Sequence, residues 1–318
     1  MLTVPRMQVR PIQYEQADRY FMAQTNAHWV HTEVSLLEDV QHWKCELPEV
    51  AKFIIGNTTK LFTQVEGHVA DYWTNVPRWF QIPEIRDMAT ACSHMESIHT
   101  RAYANLNETL GIPEAEYDEF MTIPALKNKL EFLINASDGN LEEIACSLAV
   151  FSAFAEGCGL FSTFALLIWF NQPPMHFMPG LKQTIEWSAR DESLHSECGI
   201  WLFRTLIEEH PELWNDSLKE KCYSAAEQTA QLEDAYLDYV FGPYEDALGL
   251  QKSDLKRYIR SRINMKLNEI GLKKIFDEAD TKNLLWFDEA IASEQNSDFF
   301  ARKPTNYAKG NDWDNVWT

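Results

Sequence analysis

The sequence predicts an all-α protein, and three observations carry that expectation. Glycine and proline number only 12 and 13 in 318 residues, which leaves little room for turns and requires long elements. Apolar residues recur at helical spacing over long stretches. Strand-like alternation bounded by turn residues is nearly absent.

Helical runs are expected over roughly 31–44 and 48–76. The next is the clearest. Ile85, Met88, Cys92, Met95, His99, Ala102, Tyr103 and Leu106 form one stripe, with Pro83 near the helix start and Gly111-Ile112-Pro113 at its end. Further runs cover roughly 124–135, 140–171, 179–209, 215–247 and 252–271, with Pro173-Pro174 and Pro179-Gly180 between two of them. The helical pattern fills about residues 14–290, so residues 1–290 are expected to form one domain. Residues 291–318 are polar and without periodicity but carry five aromatics. They are expected to form a flexible tail whose aromatics serve a partner.

Ile144 to Phe170 is apolar or small except for Glu156. By length it could span a bilayer, but a carboxylate at a bilayer centre is costly. A helix that is apolar all round also suits the centre of a large soluble bundle, and no membrane role is expected. Lys+Arg is 28 and Asp+Glu is 48, a net charge of −20. Such a surface repels phosphate backbones and anionic lipid heads, so no nucleic-acid partner is expected. The six cysteines form no CxxC pair, and no charged-then-apolar leader opens the chain. A cytoplasmic location is the expectation. No glycine-rich phosphate-binding motif occurs.

The chemistry is carried by a doubled pattern. Glu96-Ser-Ile-His99 and Glu192-Ser-Leu-His195 each place a glutamate and a histidine on one helix face. One such pair is weak, and Asp39/His42 has the same spacing by chance. Here, however, Glu66 precedes Glu96 by 30 residues and Glu156 precedes Glu192 by 36, each on the preceding helix. One Glu from each of two helices, with ExxH from each of two others, is the ligand set of a di-iron or di-manganese carboxylate bundle. Four carboxylates offset two divalent ions and can bridge them. Two imidazoles complete the coordination, and oxygen-plus-imidazole ligands suit Fe and Mn. Tyr103 lies on the same face as Glu96 and His99, about 10 Å along the axis from Glu96, where it could be oxidised. Asp191 can accept a hydrogen bond from the far nitrogen of a metal-bound histidine.

Glu96-Ser-Ile-His99-Thr-Arg-Ala-Tyr103, Ala189-Arg190-Asp191-Glu192-Ser-Leu-His195 and Phe154-Ala-Glu156-Gly resemble the signatures of the small, radical-generating subunit of class I ribonucleotide reductase. The resemblance runs from His28-Trp29 to Asp298-Phe-Phe-Ala-Arg302 and Tyr307. It implies a ferritin-like bundle, a homodimer, and a metal pair that reacts with dioxygen and stores a one-electron oxidant. A separate large subunit uses that oxidant to reduce ribonucleotides. Carried over, it implies metal ligation by Glu66, Glu96, His99, Glu156, Glu192 and His195. Trp29 matches the radical-transfer tryptophan, linked to His99 through Asp191. Tyr307 matches the tail tyrosine that passes the radical across the subunit interface, and Trp313 and Trp317 would dock on the large subunit. Three positions depart from the pattern. Glu66 stands where iron–tyrosyl members have aspartate, Leu160 where many have phenylalanine, and Ser188 brings a hydroxyl to a region usually apolar. These changes favour an oxidant held on the metal pair, with Tyr103 as the alternative carrier. Two Mn per chain is the expectation, with two Fe as the alternative. The rival reading is a two-metal oxidase or hydroxylase acting on an apolar substrate.

Overall fold

The computed structural model describes residues 1–113, 116, 122–133, 139–277 and 281–301. The architecture is all-α, as the periodicity requires. The N-terminal arm is pinned by Glu84, whose Oε1 accepts the backbone N–H groups of Gln13 (2.9 Å) and Tyr14 (3.0 Å). Helix α1 (Glu15–Asn26) carries Glu15 and Asp18 in its first turn, which suits the helix dipole. It packs on Pro83–Leu110 and buries Ala17 and Gln24. Helix α2 (Leu37–Gln41) runs into a wide turn over His42–Glu46.

Helices α3 (Glu49–Trp79) and α4 (Pro83–Leu110) form a long hairpin. Pro83 opens α4, where its missing N–H costs nothing, and Gly111 closes it in the left-handed region at φ +78°. After α5 (Pro124–Leu133) comes the apolar stretch. Asn140 caps α6 (Leu141–Val150) by accepting the N–H of Glu143 at 3.1 Å. The sequence predicts one helix over 140–171, but the structure divides it. Residues Phe151–Glu156 form a wide π-type turn, the helix is interrupted by a turn at Gly159 and Leu160, and α7 (Phe161–Trp169) follows. The stretch is interior: 78% of its most apolar window is buried.

Helix α8 (Pro179–Glu209) starts with Pro179 and packs on α6, the wide turn and α7. Asn215 caps α9 (Asp216–Phe241), accepting the N–H of Leu218 at 2.9 Å. A two-stranded hairpin (Asp246–Ala247 with Leu250–Gln251) leads into α10 (Lys252–Glu269), which lies on α9. Helix α11 (Leu285–Ala301) packs on α8. It runs past residue 290, so the segment read as a tail begins as helix. Buried Phe287 and Ile291 anchor its start, and extending an existing helix costs little compared with nucleating one. Tyr307, Trp313 and Trp317 lie outside the described residues.

Candidate metal centre

Each half of the chain supplies three ligand candidates. Glu66 comes from α3, with Glu96 and His99 from α4. Glu156 ends the wide turn, and Glu192 and His195 come from α8. All six are between 0 and 2% exposed. They fall into two overlapping groups. Glu66, Glu96, His99 and Glu192 each offer one atom within 4.8 Å of the others, and so do Glu96, Glu156, Glu192 and His195. Glu96 and Glu192 belong to both groups, and each group has one imidazole, a make-up that fits a dinuclear metal site.

The donor chemistry fits such a pair. Neither oxygen of Glu66 meets a hydrogen-bond donor among the described residues, and Oε2 of Glu156 and Oε1 of Glu192 lack one too. Buried ionised carboxylates without a counter-charge cost several kcal/mol each. The two imidazoles turn Nδ1 inward. His99 Nδ1 lies 3.1 Å from Glu96 and 3.2 Å from Glu192. His195 Nδ1 lies 2.5 Å from Glu96 and 3.7 Å from Glu156. In the metal-free protein, protons stand in for the missing positive charge. Burial and then the charge of Glu96 push the Glu66 and Glu192 carboxyls well above the usual range. Burial would also raise Glu96, but His195 and His99 pull it down to about 2. Burial works against a charged His99, yet Glu96 and Asp191 hold its pKa well above the ordinary value. His195 is raised in the same way by Cys92 and Glu96.

The outward nitrogens are held by a second set of side chains. His99 Nε2 lies 3.2 Å from Oδ2 of Asp191, and the same oxygen accepts Trp29 Nε1–H at 2.8 Å. Burial would raise Asp191, but Arg190 and then His99 keep it well below the carboxylate range. The Trp29 ring lies 5.8 Å from that of His99 and 5.1 Å from that of Trp187. Sequence reasoning missed Gln24, whose Oε1 faces His195 Nε2 at 3.1 Å while its Nε2 donates to Asp191 at 3.3 Å. It also missed Trp73, which donates Nε1–H to Glu156 Oε1 at 2.7 Å. Neither had a motif to mark it.

Tyr103 is fully buried, with Phe62 at 4.9 Å between ring centroids. Burial and then Glu66 push its phenol well up, and nearby Ser188 eases the shift. Neither hydroxyl makes a hydrogen bond of good geometry. Leu160 is buried at the break before α7. The chance pair Asp39/His42 is structural. Asp39 caps α8 by accepting the N–H groups of Gly180 (2.9 Å) and Leu181 (2.7 Å), and His42 Nδ1 accepts that of Met178 at 3.1 Å.

A helical bundle that buries four glutamates and two histidines around two adjacent cation positions is a protein of the dinuclear metal–carboxylate class. Residues 6–283 match the family described as ribonucleotide reductase, small chain. The chain belongs to that family and is an oxidoreductase subunit of ribonucleoside-diphosphate reductase. It is 32% identical to a probable ribonucleoside-diphosphate reductase small subunit of Invertebrate iridescent virus 6, over 97% of this chain and 96% of the relative. Its fold matches a putative class I ribonucleotide reductase from Bacillus halodurans with a TM-score of 0.78 and 21% identity, covering 87% of this chain and 99% of the other. It also matches the dimanganese(II) NrdF protein of Streptococcus sanguinis with a TM-score of 0.71 and 19% identity, covering 92% and 99%.

Proposed function

We propose that Glu66, Glu96, His99, Glu156, Glu192 and His195 would hold two metal ions, with Glu96 and Glu192 placed to serve either one. The observation that carries this is the sharing of those two glutamates by both four-residue groups. When bound, the pair supplies the dioxygen chemistry and keeps a one-electron oxidant for the large subunit. The protein's own residues do the rest. Asp191 holds the Nε2–H of His99, which fixes the tautomer and leaves Nδ1 as the donor. Gln24 does the same for His195. The buried shell excludes water from the centre. His99, Asp191 and Trp29 form the hydrogen-bonded route along which the oxidant leaves, and Tyr307 in the C-terminal segment receives it for the large subunit. The chain works as a homodimer in the cytoplasm and docks on the large subunit through that segment, with Trp313 and Trp317 as anchors.

The metal is manganese in this reading, with iron as the alternative. Glu66 is one methylene longer than the aspartate of iron–tyrosyl members, and Ser188 brings a hydroxyl beside Tyr103. A long-lived tyrosyl radical needs an inert apolar pocket, so the oxidant stays on the metal pair. Low-temperature EPR of active protein with metal analysis tests this. A many-line mixed-valent manganese spectrum at two metals per chain is the expected result. A sharp tyrosyl doublet with two irons per chain would overturn the metal-stored reading.

A further inference from the structure

Of the six ligand candidates, Glu156 is the one that does not sit in a regular α-helix. Its direction therefore depends on what holds the chain beside it. Just beyond it the helix is interrupted at Gly159 and Leu160, and a carbonyl near such an interruption calls for a donor from elsewhere. Arg262 on α10 supplies one. Its Nε–H donates to the carbonyl of Gly157 at 2.5 Å, and its Cζ stands 3.2 Å from the centroid of the Phe161 ring. Gly157 directly follows Glu156, and Phe161 opens α7. One planar group thus grips both sides of the interruption. Lys266, one turn further along α10, presses on the same spot. A Cβ added at Gly157 would lie 2.8 Å from Lys266 Cε and 2.8 Å from Ser196 Oγ. The Lys266 ammonium turns to Glu269 at 2.9 Å, so its stem is what packs on Gly157. Arg262 is itself braced. Its Nη1 lies 3.5 Å from Tyr258 Oη, which donates to Asp288 near the start of α11 at 2.8 Å.

We propose that Arg262 is a positioning residue for the metal centre. It fixes the rotation of the wide turn that carries Glu156, and so sets the affinity of the cation position that Glu156 and His195 serve. The position served by Glu66 and His99 is built on α3 and α4 and does not depend on it. The inference rests on the six residues being ligands of a metal pair. A guanidinium suits the task because it is always charged, keeps its plane, and can stack and donate at once. Its bond to a neutral carbonyl is charge-assisted, which makes it a firm anchor. Without Arg262 the Gly157 carbonyl must find another donor. A backbone N–H further along the chain becomes one if the wide turn tightens toward regular helix. Tightening rotates Glu156 about the helix axis and away from His195.

The test reads each cation separately. Full-length metal-free protein is titrated anaerobically with Co(II), followed by visible absorbance, and with Mn(II), followed by the EPR signal of the free ion. Wild type should take two cations per chain. Arg262→Met should weaken one equivalent by about tenfold, change its Co(II) spectrum, and leave the other equivalent as in wild type. The weakened equivalent should be the one that Glu156→Ala abolishes. Arg260→Met is the matched control. It breaks the pair of hydrogen bonds to Asp234 (2.9 and 2.7 Å) on the same helix and should leave both equivalents unchanged. Arg262→Lys keeps the charge without the planar fork. It decides the matter if Arg262→Met does not fold, and a smaller loss at the same equivalent is expected. Equal loss at both equivalents, or no loss at either in the Arg262 variants that fold, would overturn the positioning role. Wild-type protein that takes up no cation pair would instead overturn the metal-site reading on which it stands.

Discussion

Metal loading should release protons, and the number follows from the site. In the metal-free protein four groups are shifted toward their protonated forms: the imidazoles of His99 and His195 and the carboxyls of Glu66 and Glu192. Metal ligands must be deprotonated. The imidazoles alone give two protons per pair of ions, and the carboxyls raise the total to four. Each proton released is worth about 1.4 kcal/mol per pH unit, so lowering the pH from 7 to 6 should weaken binding of the pair by about 3–6 kcal/mol. All four groups have folded pKa values raised above their ordinary ones. Their contribution to the metal-free fold is therefore present at low pH and is lost as pH rises through those raised values. The metal-free protein should lose stability toward alkaline pH, while the loaded protein should not. Adding Mn(II) or Fe(II) anaerobically to metal-free protein in weak buffer with a pH indicator counts the protons. Thermal melts across pH check the linkage. Release of less than one proton per pair, or an affinity unchanged between pH 6 and 7, would refute the reasoning.

Asp191→Asn keeps the shape but removes the charge that both His99 and Trp29 use. Nucleotide reduction with the large subunit should fall by about 10–100-fold while metal analysis still finds two ions per chain; full turnover would contradict the proposed route. Gly199 sits where an added Cβ would lie 1.8 Å from Ser152 Oγ. Gly199→Ala should therefore cost about 1–3 kcal/mol in denaturant melts, and Ser152→Gly in the same chain should recover most of it. An unchanged midpoint in the single variant would show that α8 and the wide turn are not pressed together as described.

Much of the fold was legible because most helices have a dry side and a wet side. The stripe from Ile85 to Leu106, with Pro83 before it and Gly111 after it, fixes α4 almost to the residue. The clustering of the six candidate residues was legible for a related reason: three-residue spacing on a helix puts two side chains on one face, and its repetition in both halves is hard to produce by chance. Gln24 and Trp73 were not legible. Gln24 is one glutamine on a mostly exposed helix, and its role exists only where it meets His195, 171 residues away. Trp73 looks like ordinary core packing until Glu156 is brought to its N–H from 83 residues away. The end of the helical domain was also hidden. Residues after 290 have no apolar stripe, yet α11 carries on to Ala301 because its start is already packed.

The wide turn at Phe151–Glu156 shows why the remaining gap is physical. A helix buried on every side has no wet face, so its sequence carries no record of its rotation about its own axis. One extra residue in a turn rotates everything beyond it by about 100° relative to a regular α-helix. In this segment that is the difference between Glu156 facing the other ligands and facing apolar neighbours. The turn is held from outside the segment. Ser196 donates to the carbonyl of Ser152 at 2.7 Å, supplying a donor within the wide turn. One helical turn further on, Gly199 gives the space into which Ser152 presses. Ser196 and Gly199 follow His195 on α8, so the helix that carries Glu192 and His195 also carries the slot that aims Glu156 at them. The small residues after the second ExxH therefore help to set where Glu156 points.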